Sequence, residues 1–204
     1  MMVGYRSETN VFIILDDDSC MIIMSKIVAV ISSPRKGANG ETLVNAMAEA
    51  ARENGNEVEI FNVAAMTNRK GCVSCFGCKR AGKCVQKDDL TPVLDAIREA
   101  DGVILSTAVY FGQPTAQYRL LEDRFFSFVG PDFVPNVAPK KMAVIVSAGS
   151  QGAQEVADQI AGRMAGFLKF ECLGTIANIS GNAPDAAANN ADEMALAAEI
   201  GKKF

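Results

Sequence analysis

From about residue 26 onward the chain alternates between two apolar patterns. Residues 26–32, KIVAVIS, form a nearly continuous apolar and β-branched run, as in a strand buried on both faces. The polar loop SPRKGANGE follows, and TLVNAMAEAARENG then places apolar residues at helical spacing as far as Gly55. The same pair recurs along the chain. EVEIFNV (57–63) reads as a strand. After a cysteine-rich loop, DDLTPVLDAIREADG (88–102) reads as a helix with acids at its start, where the helix dipole favours them. GVILSTAVY (102–110) is a third strand, followed after FGQPT by a helix with an aromatic face over 115–128. KMAVIVSAG (141–149) is a fourth strand and precedes a helix from about 152 to 168. The fifth strand lies within FECLGTIANI (170–179). The last helix, about 190–203, opens with Asp192 and Glu193 and closes with Lys202 and Lys203.

Five such units predict an α/β protein: a doubly wound, five-stranded parallel sheet with helices on both faces. Residues 1–23 fall outside the pattern and read as an N-terminal extension to a domain over 24–204. A second reading makes VFIIL (11–15) an extra edge strand. The apolar run in MMVGYRSETNVFIILDDDSCMIIM is short and is cut off by Asp16, Asp17 and Asp18. That argues against a signal peptide or a membrane span and leaves the cytoplasm as the expected location.

Composition narrows the chemistry. At 204 residues, with 49% hydrophobic and 22% charged, the chain fits one ordinary globular domain. A formal net charge of -4 argues against a nucleic-acid partner. There is no histidine, which excludes Ser-His-Asp and Cys-His catalysis and every metal site built on imidazole. In a reducing cytoplasm, clustered thiols point to metal or redox chemistry more than to bridges.

In a doubly wound sheet the ligand lies outside the carboxyl ends of the strands, so the loops there carry the site. SSPRKGANGET (32–42) joins a strand to a helix start and holds hydroxyls, Asn39, Arg35 and Lys36. Free N–H groups at a helix N-terminus suit a phosphate, although neither G-x-x-x-x-G-K-[ST] nor G-x-G-x-x-G is present. TAVYFGQPTAQ (107–117) offers Tyr110, Phe111 and Gly112 where a flat ring could lie, or where aromatics simply cap the core. SAGSQGAQE (147–155) suits the backbone-lined edge of a pocket, or an ordinary approach to a helix.

A fourth loop, GCVSCFGCKRAGKC (71–84), spaces Cys72, Cys75, Cys78 and Cys84 as C-x2-C-x2-C-x5-C. Such spacing can turn thiolates toward one [4Fe–4S] cluster, with Gly71, Gly77 and Gly82 permitting the tight winding. A four-cysteine zinc site, a Cys72–Cys75 redox disulfide and plain reduced thiols are the competing readings. The loop follows the second strand and is expected at the same sheet edge as the other three. Its Lys79, Arg80, Lys83 and Lys87 either steer an acidic donor or form a solvated face. Cys172 reads as a core residue of the fifth strand. Phe125, Phe126 and Phe128 read as core or as a subunit interface, the latter implying a homodimer or homotetramer.

Taken together, SSPRKGANGETL, GCVSCFGCKRAGKCVQKDDL, AVYFGQPTAQYRLLEDR and SAGSQGAQE resemble the flavodoxin-like NAD(P)H-dependent FMN reductase and iron–sulfur flavoprotein family, in its order and over about residues 26–204. The resemblance implies strand order 2-1-3-4-5 and FMN as cofactor. It implies that Ser33, Arg35, Asn39, Gly40, Glu41 and Thr42 surround the FMN phosphate. Val109, Tyr110, Phe111 and Gly112 would flank the isoalloxazine, with Ser147, Ala148, Gly149 and Gly152 along its other edge. It also favours a [4Fe–4S] cluster on the four cysteines. The family often reads N-T where this chain reads Asn39-Gly40, so the phosphate would lean on backbone N–H groups and Thr42. The expected function is electron transfer between ferredoxin or NAD(P)H and a small acceptor, with no side chain nominated as acid or base. A cluster-free NAD(P)H:FMN or quinone reductase and a flavodoxin-type carrier are the alternatives.

Overall fold

The computed structural model describes Tyr5–Arg6, Phe12–Ile14 and residues 22–204. Five parallel strands form the main sheet: β1 (Lys26–Ile31), β2 (Glu57–Asn62), β3 (Gly102–Tyr110), β4 (Lys141–Ala148) and β5 (Glu171–Ile179). Their order is β2-β1-β3-β4-β5, the arrangement the resemblance implies. The winding reverses between β1 and β3, which puts the switch point at their carboxyl ends. Phe12–Ile14 pairs antiparallel with Tyr5–Arg6 and Ile22–Met24 in a separate three-stranded sheet.

Strand side chains point alternately to the two faces, and both faces are covered. Ile27, Ala29, Ile31, Ile104 and Ile145 pack with Leu43, Val44 and Met47 of α1 (Asn39–Glu53) and Ala197 and Ile200 of α6 (Ala191–Gly201). Val28, Val30, Leu105, Val144 and Val146 face α3 (Leu90–Glu99), α4 (Ala116–Arg124) and α5 (Ala153–Arg163). This double burial is why the strands read as continuous apolar runs.

The differences from the sequence reading are local. α1 starts at Asn39, three residues before the predicted Thr42, so the end of the first loop is the helix's own first turn. The helix expected over 115–128 divides into α4 and a tighter 3-10 turn, Phe125–Phe128. The one expected over 152–168 ends in a π-helical turn, Met164–Leu168. A short helix, α2 (Gly77–Ala81), lies inside the cysteine loop. Cys172 is exposed rather than core, because β5 is an edge strand whose register skips Leu173 as it starts. Phe125 and Phe128 are core residues stacked at 5.1 Å, while Phe126 is partly exposed.

Candidate functional site

The first loop and the start of α1 form a polar corner over the switch point. Ala38 precedes α1 without a side-chain cap. Its carbonyl accepts from the N–H groups of Glu41 (2.8 Å) and Thr42 (3.1 Å). Among the described residues, the N–H groups of Asn39 and Gly40 have no acceptor. Gly40 is pressed onto the strand ends: a Cβ there would stand 2.8 Å from Ser106 Oγ and 3.5 Å from Ser147 Oγ. The hydroxyls of Ser32, Ser106 and Ser147 are buried there without hydrogen-bond partners among the described residues. Unmatched donors at a helix start, with Arg35 beside them, are the chemistry of an anion cradle.

Several expected side chains are otherwise occupied. Asn39 is buried; its Nδ2 donates to Ala183 O (2.8 Å) and its Oδ1 accepts from Ala187 N–H (2.8 Å). Glu41 turns back to accept from Gly37 N–H at 2.7 Å. Arg35 Nη1 donates to Asn182 O at 3.3 Å, and Arg35 also lines the cavity described below. These bonds strap residues 180–187, after β5, across the first loop. Sequence reading missed this strap; the signal was the turn-rich run SGNAPD that follows the strand.

The second loop is a tight hairpin. β3 runs on to Tyr110, and Val109 and Tyr110 pair with Pro114 and Gln113. Phe111 and Gly112 form the turn with φ of 52° and 75°, as two-residue hairpin loops require. Phe111 is fully exposed at the tip and Tyr110 half exposed. Thr115 fixes the hairpin to the first loop: its buried hydroxyl donates to Ser32 O at 3.0 Å and lies 3.1 Å from Thr107 Oγ1. That residue was also missed, being an N-cap at α4 in sequence terms.

A cavity of about 50 Å³ gathers Ser33, Arg35, Asn39, Val109, Tyr110, Ser147, Ala148 and Gly149, joined by Ser180 and Asn182. Gly40, Glu41 and Thr42 lie behind it in α1. Phe111 and Gly112 lie beyond it at the hairpin tip, and Gly152 opens α5 with its Cα facing Val109. So small a cavity encloses the head of a ligand only. The residues fit FMN in kind, by the unmatched N–H groups and orphaned hydroxyls at the start of α1.

A larger cavity, about 270 Å³, sits at the opposite edge beside Lys140. Burial pushes the Lys140 ammonium down to about 8. It donates to the carbonyls of Arg98 (3.1 Å) and Ala100 and so closes the end of α3.

The cysteine loop is built differently. Cys78 is buried in α2 and Cys84 is half-buried against the core, while Cys72 and Cys75 are exposed. Positive φ values fall on Ser74 (53°), Phe76 (55°) and, as expected, Gly82 (72°), but not on Gly71 and Gly77. Gly77 is needed for contact instead, since a Cβ there would strike Val85 Cγ2 at 2.5 Å. Asp88 and Asp89, expected only as acids at a helix start, tie the loop down: Asp88 accepts from Lys70 N–H (3.0 Å), and Asp89 from Thr67 (3.2 Å) and Asn68 (2.9 Å). Lys79 donates to the carbonyls of Phe126 (2.7 Å) and Val129 and lies over the Phe126 ring, so it is a structural cation. At the base, the fully buried Arg124 donates through Nε to Cys84 Sγ (3.1 Å) and through Nη1 to Asp88 Oδ2 (2.9 Å). Burial works against the charge of Asp88, but the bonds from Arg124 and Lys70 N–H hold its carboxyl below the usual range.

The donor set suits an iron–sulfur cluster in kind: four thiols in one loop, beside a buried cation whose Nη2 is unpartnered. Position is a separate matter. Among the described residues, no three Cys, Asp or Glu groups converge as a metal site. Among the described residues, no helix is long and apolar enough to cross a membrane.

Comparison with known proteins bears on the family and the fold. The family model described as NADPH-dependent FMN reductase matches residues 25–184. An iron–sulfur flavoprotein of Methanocaldococcus jannaschii is 36% identical over 135 residues, covering 66% of this chain and 68% of that protein. One from Archaeoglobus fulgidus is 31% identical over 144 residues, covering 71% and 62% respectively. Among solved structures, an NAD(P)H:quinone oxidoreductase from Methanothermobacter marburgensis shares the fold, with TM-score 0.62 at 15% identity, over 88% of this chain and 98% of that one.

Proposed function

The chain belongs to the NADPH-dependent FMN reductase family of flavin-dependent oxidoreductases, and from that premise we propose that it moves electrons from NAD(P)H or a ferredoxin-like carrier to a small acceptor. The observation that carries the reading is the corner of unmatched donors at the switch point. The N–H groups of Asn39 and Gly40 and the side chains of Ser33 and Arg35 would hold the FMN phosphate. Val109, Tyr110 and the hairpin turn would lie along the ring, with Ser147 to Gly149 opposite. Thr115 keeps the hairpin in register with the phosphate corner. Bound flavin supplies one- and two-electron chemistry; the chain's part is to bind, orient and shield it.

The finer proposal is that Cys72, Cys75, Cys78 and Cys84 hold a [4Fe–4S] cluster. Its support is the spacing of the thiols, the buried cation beside them, and the names of the relatives. Thr115 caps the start of α4 and Arg124 is its last residue, so the flavin corner and the cysteine loop would meet opposite ends of a rod about 14 Å long, at 1.5 Å per residue. The exposure of Cys72 and Cys75 favours a second reading, a cluster-free NAD(P)H:FMN or quinone reductase.

Anaerobic purification, an absorption spectrum, and assays of FMN, iron, sulfide and zinc test both readings. FMN with stoichiometric iron and sulfide is the expected result. FMN without iron, together with steady NADPH oxidation, selects the cluster-free reductase. Failure to bind FMN at all sinks the reading.

A further inference from the structure

We propose that Arg124 is the positioning cation of the cysteine loop: it fixes the Cys84 sulfur and keeps its Nη2 amino group free for the negative charge of a four-thiolate metal centre. The inference rests on the cluster reading above. An iron–sulfur cluster and a zinc ion on four thiolates share the required chemistry, a net negative charge spread over sulfur.

Arg124 has no exposed side-chain surface. Its fork is divided among three kinds of acceptor. Nε donates to Cys84 Sγ at 3.1 Å, and Nη1 to Lys70 O at 3.0 Å and Asp88 Oδ2 at 2.9 Å. Nη2 has no partner among the described residues. Asp88 in turn accepts from Lys70 N–H, so carboxylate, guanidinium and the residue that leads into the loop form one closed unit.

A purely structural ion pair does not require this layout. Asp88 already neutralises the guanidinium, and a buried N–H left unmatched costs about 1–3 kcal/mol. Buried donors are almost always satisfied, so an orphan one beside a ligand-type sulfur marks room for an acceptor. The planar fork is what lets a single cation reach carboxylate and sulfur together; an ammonium is a point charge and lacks that geometry. Hydrogen bonds to ligand sulfurs draw electron density from a cluster and raise its reduction potential. Arg124 therefore belongs to the loop's chemistry as well as to its stability, although it sits on a helix 40 residues beyond Cys84 in sequence.

The test uses the full chain, reconstituted anaerobically with iron and sulfide, as wild type, Arg124→Lys and the double variant Asp88→Asn/Arg124→Gln. The double variant removes both buried charges, so neither is left unpaired; FMN content and a thermal melt check that it folds. Arg124→Lys is expected to keep its iron but titrate at a more negative potential than wild type. The double variant is expected to lose iron to a chelator several-fold faster. Equal potentials and equal iron loss in proteins with equal FMN content overturn the inference and leave the cluster reading standing. If the double variant does not fold, the potential of Arg124→Lys decides alone. If wild type binds zinc and no iron, faster zinc release from the variants supports the inference and equal release overturns it. A wild type that takes up neither metal overturns both the inference and the cluster reading, while its FMN content still reports on the flavin reading.

Discussion

The loops after β1 and β2 leave the same edge of one sheet, yet they are held in opposite ways. In the first, the side chains are spent on the scaffold. Asn39 clamps residues 183–187, Glu41 clamps Gly37, and what remains for a ligand is main-chain N–H and buried hydroxyl. In the second, only the base is clamped, by Asp88, Asp89 and Arg124. The groups that carry chemistry include two exposed thiols on a stretch with two non-glycine residues at positive φ. A site made from backbone and buried hydroxyls is shaped before its ligand arrives. A site made from side chains on an exposed arm takes its final shape from what it binds.

The largest effect is expected at the clamp of the second loop. Asp88→Ala leaves Arg124 buried without its counter-ion and should cost about 3–5 kcal/mol in a urea melt. The same pair gives an acid signature. The folded-state pKa of Asp88 lies below its ordinary value of 3.8, so the pair's contribution is complete above about pH 4 and is lost as pH falls through the lowered pKa. Asp88→Asn should flatten that part of the stability profile. An Asp88→Ala protein that melts like wild type would mean the base of the loop is not held as described.

Smaller effects are expected at the first loop. Asn39→Ala breaks two bonds to the strap after β5, one of them buried, worth about 1–3 kcal/mol, and should weaken FMN binding because the helix start loses its anchor. Calorimetric titration with FMN and a urea melt on the same protein would check both. Gly40→Ala pushes a methyl group toward Ser106 Oγ at 2.8 Å, at a cost of about 1 kcal/mol, and should raise the FMN dissociation constant several-fold. If Gly40→Ala binds FMN as wild type does, the phosphate corner is not where α1 starts.

The same contrast explains what could be read from the sequence. Buried parallel strands announce themselves, so KIVAVIS and GVILSTAVY placed the sheet and its edge directly. The residues of the polar corner that line one cavity, Ser33, Arg35 and Asn39 among them, could be picked out because the loop after the first strand has a fixed position in this topology. Their roles were less plain: nothing in a local pattern shows that Asn39 bonds to residues 144 and 148 positions away. Thr115, Ser180, Asn182 and Arg124 were invisible for the same reason, since each acts across elements distant in sequence. The exposure of Cys172 depends on a one-residue skip at an edge strand, which hydrophobicity does not encode.

The smallest predicted effect divides the cysteine loop itself. Cys72 and Cys75 are exposed, and among the described residues the one hydrogen bond at either sulfur is Ser74 N–H to Cys72 Sγ at 3.5 Å. Serine at either position should therefore change the stability of metal-free protein by no more than about 0.5 kcal/mol. Cys78 is buried in α2, so Cys78→Ser places a hydroxyl where a thiol packed and should cost more, about 1 kcal/mol. A thiol reagent applied to metal-free protein should modify Cys72 and Cys75 quickly and Cys78 slowly. Loading with iron and sulfide should then protect all four together, because a shared centre equalises thiols that the bare loop holds apart. Removing the iron with a chelator should restore the split. Four thiols that react alike before loading would erase the contrast between an exposed arm and a fixed base; Cys72 and Cys75 left reactive after loading would show that they are not ligands.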